Sequence, residues 1–305
     1  MTERSERPSI AIIGAGKVGT AVGALAVRAG YRVTAVAGRD RHRTEEAASR
    51  IGGEVPVLSP REAAGRAGLV LLTVPDDAIE ATCRELVTAR ALAPGSLVAH
   101  CAGALSSECL DPARRELGCH IASFHPLQSF PTVEAALTSL PGSYCFDEGD
   151  EAALAALENL GAAIGAHCVR IDTQHKALYH AAAVMACNYL TGLLDAALTL
   201  ATTARIERRT AWQALEPLIR ATLENISKLG TEAALTGPIA RGDGKTVTTH
   251  LAALDENARE LSGLYRALGS WTVGLALRKG SIEETAARTL LEALADPPPE
   301  KRPDQ

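Results

Sequence analysis

A chain of 305 residues is long for one hydrophobic core and short for three, so two domains are expected. Its apolar content of 47%, with only 3% aromatics, predicts a core built mainly from Ala, Leu, Val and Ile, packed helix on helix and helix on sheet. A formal charge of -5 with the two signs interspersed excludes the basic face that nucleic acid or an anionic membrane surface requires, and favours a small-molecule partner.

The opening MTERSERPS is polar and of mixed charge, and the apolar stretch after it is broken by glycines and Lys17. It reads as neither a signal peptide nor a membrane span, and a cytoplasmic location is expected. From Ser9 to about Asp172, β-like runs alternate with Ala-rich helical stretches, the pattern of a parallel sheet covered on both faces. The runs are IAIIG, YRVTAVAG, LVLLTVP, SLVAHC, HIASFH, SYCF and HCVRI. Beyond Asp172 the alternation stops. Thr173 to Ala204 reads as one long helix, followed by helical segments near Arg209–Leu229, Thr246–Arg278 and Ser281–Ala295. The expected organisation is therefore α/β: a Rossmann dinucleotide-binding domain over residues 1–172, an all-helical substrate and dimerisation domain over 173–295, and a disordered, Pro- and charge-rich tail over 296–305. Cys83, Cys101, Cys109, Cys119, Cys145, Cys168 and Cys187 show no paired spacing, which predicts reduced, mostly buried thiols and no metal site.

The first run leads directly into Gly14-Ala15-Gly16-Lys17-Val18-Gly19 and then into apolar residues at helical spacing. In this strand–turn–helix arrangement Gly14 permits the tight turn and Gly16 lets a pyrophosphate approach the backbone. Gly19, helped by Gly23, lets the helix sit close on the sheet, and the amides at the helix start receive the anion. About twenty residues past the last glycine, where NAD binders place a carboxylate, the chain reads Gly38-Arg39-Asp40-Arg41. Arg39 falls at that offset, with Arg41 and Arg43 close behind, and a guanidinium pairs well with a 2′-phosphate, so NADP is favoured over NAD. The competing reading has Asp40 on the ribose and the arginines as a solvated helix start. Val74 and Pro75 end an apolar strand and are expected to line the cofactor crevice, although Asp76 or Asp77 as a helix N-cap explains the segment equally well.

Three further segments carry a family likeness: VAHCAGALS (98–106), SFHPLQSF (123–130), and the set HKALYHAAAVMACNYL, LTGPIARGD and THLAAL. Together they resemble the Rossmann-like oxidoreductases whose C-terminal half is known only as a domain of unknown function (DUF2520). The resemblance implies a fold akin to 6-phosphogluconate dehydrogenase, ketopantoate reductase and pyrroline-5-carboxylate reductase, with a homodimer built from the helical domain. His125-Pro126 also resembles the strand-end His-Pro of prephenate dehydrogenases, but their following Met-Phe-Gly is here Leu127-Gln128-Ser129.

Hydride addition to a carbonyl or imine leaves charge on the heteroatom, so a reductase needs a fixed proton donor and hydrogen-bond donors. Lys176 and His180 lie one helical turn apart on a face continued by Ala183, Cys187 and Thr191, with Asn188 to one side. That pair is the candidate proton source, Asn188 the candidate substrate anchor, and His125, at a strand end, a further candidate contact. In sister reductases a Lys and an Asn on the first helix after the Rossmann domain fill such roles at a different spacing. The alternative is a solvated Lys176 and a packing His180. Ala102 and Gly103, bracketed by His100 and Ser106, form a turn that in related folds touches the nicotinamide. Arg241 and Asp243, in a glycine-rich loop, can receive a carboxylate or simply pin the loop. The expected function is NADPH-dependent reduction of a small 2-oxo acid, with ketopantoate the leading candidate. Imine or prephenate-type chemistry, F420-linked reduction of NADP and a non-catalytic NADP-binding role are the alternatives.

Overall fold

The computed structural model describes residues 7–295, so the tail expected over 296–305 lies outside the described residues. Internal contacts divide the chain into two compact units that meet between Ala186 and Cys187, one helix later than the boundary drawn after Asp172. The first unit is built on one seven-stranded sheet: β1 (Ile10–Ile13), β2 (Val33–Ala37), β3 (Leu69–Leu72), β4 (Leu97–His100), β5 (His120–Pro126), β6 (Tyr144–Gly149) and β7 (His167–Arg170). Their spatial order is β2-β1-β3-β4-β5-β6-β7. Every run picked out by its apolar and β-branched residues forms a strand. Neighbours β2 through β5 pair in parallel, each returned by a connection that carries at least one helix, so both faces of the sheet are covered.

Alternation along the buried strands sorts the core into two layers. Ile10, Ile12, Leu69, Leu71, Ala99, Ala122 and Phe124 face one set of helices, while Ala11, Ile13, Val70, Leu72, Val98 and Ile121 face the other. The sheet departs from the expected all-parallel arrangement at one place. β6 runs antiparallel to β5, and β7 then pairs in parallel with β6. The link from Pro126 to Tyr144 carries only the short helix Val133–Ser139, which does not cross the sheet to restore a parallel return. The reversal sets Phe146 opposite His125 and Glu148 opposite Ser123, and it adds two carboxylates, Asp147 and Glu148, to the sheet interior.

The run expected as one helix from Thr173 to Ala204 is two. Lys176–Ala186 ends at Cys187, where φ is -118° and ψ is -65°, and Asn188–Thr203 begins the second unit. By length and composition alone Thr173–Thr203 is apolar enough to cross a membrane. The second unit is helical, with Arg208–Ala234, Gly244–Asn257, Arg259–Lys279 and Glu284–Leu294 following. The expected Thr246–Arg278 helix is also divided, because Ala258 leaves helical geometry (φ -156°, ψ 53°). Val247, Leu251, Val273, Ala276, Leu290 and Leu294 form a small core in this unit. Large apolar side chains remain exposed on it, among them Tyr189, Leu218, Leu229 and Trp271.

The reversal of β6 ends at Gly149, whose φ of +137° places it where only glycine is comfortable. An added Cβ would lie 2.4 Å from the Ile121 carbonyl oxygen and 2.6 Å from the Ala122 Cα, both backbone atoms that cannot swing away. Gly149→Ala is expected to lower the melting temperature by roughly 5 °C or more, since positive-φ strain and overpacking each cost about 1–3 kcal/mol. Differential scanning calorimetry checks it; an unchanged melting temperature would show that β6 tolerates a different end.

Candidate active site

The carboxyl ends of β1, β3, β4 and β5 lie side by side, with Ile13, Leu72, His100 and Ser123 in one cross-strand row. In open α/β sheets ligands bind beyond this edge. The glycine turn sits at the β1 end of this row, against the end of β3. Gly14 has φ +122°, and a Cβ there would meet the Thr73 carbonyl carbon at 2.3 Å. A Cβ on Gly19 would meet the Thr73 Oγ1 at 2.2 Å and the Gly14 oxygen at 2.4 Å, so the helix Lys17–Arg28 is pressed against the strands. At Gly16 the nearest atom to an added Cβ is 3.8 Å away, which leaves room above the turn. The helix start carries no side-chain cap. Val18 is half-buried against the core, whereas Lys17 is exposed.

A cleft of about 690 Å³ opens beside this turn, lined in part by Gly14, Gly16, Arg39, Arg43, Val74 and Pro75. Arg39 is exposed at its rim. Asp40 is engaged as N-cap of the helix Arg41–Ile51, accepting from the Arg43 backbone N–H at 3.0 Å. Pro75, not Asp76 or Asp77, occupies the N-cap position of the helix Asp76–Thr88.

Further along the edge, His100 holds the turn after β4. Its Nδ1 accepts from the Ala102 N–H at 3.1 Å, so the ring proton is on Nε2, which lies 3.2 Å from the Ser106 carbonyl oxygen and donates to it. The Ser106 contribution to this bracket is thus a backbone one. The ring is fully buried, and burial pushes its pKa down to about 4. The turn brings Gly103 against two imidazoles: an added Cβ would meet His180 Cδ2 at 2.3 Å and His125 Nε2 at 2.9 Å. His125 Nδ1 is 2.9 Å from the Tyr179 hydroxyl, whose ring stacks on Phe146 at 4.4 Å. Burial, with the Lys176, His180 and His100 charges adding to it, pushes the His125 pKa down to about 3.

Lys176 is not solvated at a helix start. It is 1% exposed and donates to Ser123 Oγ at 2.6 Å. Burial lowers its pKa, and the neighbouring charges that oppose the shift are those of Glu148 and Asp147. Glu148 accepts from the Ser107 N–H at 2.7 Å, from Ser107 Oγ at 2.8 Å and from Thr173 Oγ1 at 2.8 Å. It therefore ties the segment after β4 to the approach to the Lys176 helix. Asp147, on the opposite sheet face, is buried with neither oxygen hydrogen-bonded, and burial raises its pKa to about 7. The sequence reading missed Ser107, Ser123, Asp147, Glu148 and Tyr179. Tyr179 was visible as the aromatic residue next to His180 on that helix, whereas Glu148 lies two residues past the SYCF run and carried no signal of its own.

The remaining candidates lie in the second unit. Asn188 is exposed at the start of its helix. Asp243 spends its oxygens on the Thr246 N–H at 3.0 Å and Thr246 Oγ1 at 2.7 Å, as the N-cap of Gly244–Asn257, and these bonds hold its pKa down. Arg241 is exposed. All seven cysteines are free, and only Cys187 is exposed. Burial raises the pKa of each of the other six.

A nucleotide-sized crevice at the carboxyl edge of a mostly parallel sheet defines a Rossmann-like protein. Two family models match the chain: a Rossmann-like domain over residues 2–126 and a domain of unknown function (DUF2520) over residues 143–272. The chain joins these two domains, the pairing its motifs resemble. No curated protein matches the sequence. Among solved structures it is similar to a Bacteroides fragilis protein described as an NADP oxidoreductase, at 21% identity and a TM-score of 0.68 over 94% of this chain and 99% of that one. A Thermotoga maritima protein matches at 23% identity and a TM-score of 0.60 over 93% and 98% of the two chains. The NADP-bound pyrroline carboxylate reductase of Plasmodium falciparum matches at 12% identity and a TM-score of 0.54 over 95% and 99%. At these identities the likeness is one of fold.

Titration of the buried His100 gives a stability test. Folded, it takes a proton only near pH 4; unfolded, it does so near its ordinary value of about 6.5. Between those limits the unfolded chain binds more protons, so the stability this ring contributes is complete above pH 6.5 and is lost as pH falls toward 4. The full difference amounts to about 3 kcal/mol. Urea unfolding at pH 7.5 and 4.5 is expected to show a fall in stability for the wild type that exceeds that of His100→Asn by about 2 kcal/mol or more. Equal falls would mean that the ring is protonated in the folded chain.

Proposed function

We propose that this protein is an NADPH-dependent reductase of a carbonyl or imine carbon, with its reacting centre beside Gly103, His125 and His180. The observation that carries the reading is the crevice itself. The room at Gly16, the uncapped helix start beyond it and the guanidinium at the rim fit a dinucleotide pyrophosphate and a 2′-phosphate. Asp40 is committed to its helix, which leaves Arg39, with Arg43 beside it, as the group that selects the phosphate. The NADP named for the Bacteroides fragilis and Plasmodium falciparum proteins agrees with that choice. When bound, the nicotinamide supplies hydride. The chain's own task is to hold the acceptor against the Gly103 turn, give its heteroatom a hydrogen bond from imidazole and keep bulk water from the neighbouring lysine.

Small 2-oxo acids, ketopantoate first, and cyclic imines such as pyrroline carboxylate are the substrates to try. The imine class has specific support, since imine reductases from Myxococcus stipitatus and Pseudomonas share the fold. We expect NADPH to bind more tightly than NADH in a fluorescence titration, and Arg39→Ala to weaken NADPH by about tenfold or more while leaving NADH within about threefold, as loss of one charge-assisted contact of about 1.5–3 kcal/mol requires. An unchanged ratio of the two affinities would take the 2′-phosphate away from Arg39.

The assembly we propose is a homodimer through the helical region, because Leu178, Met185, Tyr189, Leu193 and Trp271 all stand exposed in the single chain. Break of the apolar Thr173–Thr203 run at Cys187 and burial of Lys176 within it favour a second copy over a bilayer as the cover. Light scattering at micromolar concentration is expected to give twice the chain mass; a monomer would refute the dimer.

A further inference from the structure

From the contacts around His125 we infer that Tyr179 and His125 form a proton relay, with His125 Nε2–H delivering the proton to the substrate heteroatom and the Tyr179 hydroxyl replacing it at Nδ1. The inference rests on the reductase reading and moves the proton source away from Lys176, whose amine is enclosed on Ser123.

Three observations lead to it. His125 Nδ1 and the Tyr179 oxygen are at hydrogen-bond distance, and if the phenol donates, the one proton of a neutral imidazole resides on Nε2. Nε2 lies against the Gly103 turn, where a Cβ would come within 2.9 Å of it and 2.3 Å of His180, so glycine at this position keeps a side chain off this N–H. Finally, the enclosure that disfavours imidazolium means that His125 acts as a neutral acid at ordinary pH. A neutral imidazole that loses Nε2–H without compensation becomes imidazolate, a costly species. A phenol at Nδ1 removes that cost by supplying a proton as the first one leaves.

Hydride from the reduced nicotinamide forms the new C–H bond; the Nε2–H bond breaks as the substrate O–H or N–H bond forms. At the same time the Tyr179 O–H bond breaks and the Nδ1–H bond forms, leaving a neutral imidazole with its proton on Nδ1. The negative charge then rests on the Tyr179 oxygen, on a ring whose centroid is 5.9 Å from the Lys176 amine. The Lys176 amine, whose charged form is disfavoured by burial and favoured by the Glu148 and Asp147 charges, stands beside that ring until the half-buried phenol regains a proton from water and the histidine returns to its first tautomer. Burial on its own raises the phenol pKa, so the lysine is a required part of the arrangement. Tyr179 and Lys176 are thus positioning residues that work through His125.

The tautomer can be read without any substrate. Nitrogen NMR of histidine-labelled protein, with NADP added, is expected to show His125 as the Nε2–H tautomer with Nδ1 shifted by an accepted hydrogen bond, and Tyr179→Phe is expected to remove that shift. An Nδ1–H tautomer in the wild type would overturn the relay. Single-turnover oxidation of NADPH with ketopantoate, and separately with pyrroline carboxylate, is the second arm. Tyr179→Phe is expected to slow the active probe about a hundredfold or more with NADPH affinity unchanged. Rates within about threefold of wild type would overturn the relay alone, whereas a wild type that binds no NADPH would overturn the reductase reading first. If neither probe is reduced, the tautomer decides.

Discussion

One buried lysine amine organises the edge of this sheet. Taking the Lys176 amine out of water costs several kcal/mol unless it is paired, and the pairing is supplied by Ser123 on β5 and by the carboxylate field of the adjoining β6. Because Lys176 is the first residue of its helix, this single attachment sets where the next turn falls. Tyr179 and His180 are three and four residues on, and their rings come to lie against Phe146 and His125 instead of pointing into solvent.

The antiparallel β6 is what makes that pairing available. In a purely parallel continuation the strand beside β5 would present different residues to Ser123. Reversed, it sets Glu148 there, and Glu148 in turn fastens Ser107 and Thr173. A loop after β4, a strand and the approach to a helix are thereby fixed through one carboxylate, each of its bonds charge-assisted. Asp147 on the other face has no such partners, and its burial is tolerated with a raised pKa instead of with hydrogen bonds.

Much of this was legible in the sequence. The strands announce themselves by apolar runs, and the parts played by Gly14 and Gly19 follow from their spacing because backbone sterics at a strand–turn–helix leave few options. Strand direction at β6 was not legible: a link of some seventeen residues containing a short helix is compatible with either return, and apolar alternation is blind to direction. The break at Cys187 carries no Gly or Pro to mark it. The site was read in part. His125, Lys176 and His180 stood out by residue type, but Ser123, Glu148 and Tyr179 are significant only through their partners, and partners come from the register between β5 and β6 and from the seat of the Lys176 helix.

The distribution of the thiols has a practical meaning. Six are held as thiols by burial, where they are poor nucleophiles, while Cys187, the first residue of the second unit, is exposed. A maleimide dye at neutral pH would therefore mark Cys187 in the single chain, beside the Met185 and Tyr189 surface that a second copy would cover, so the unmodified chain carries its own optical reporter of that pairing.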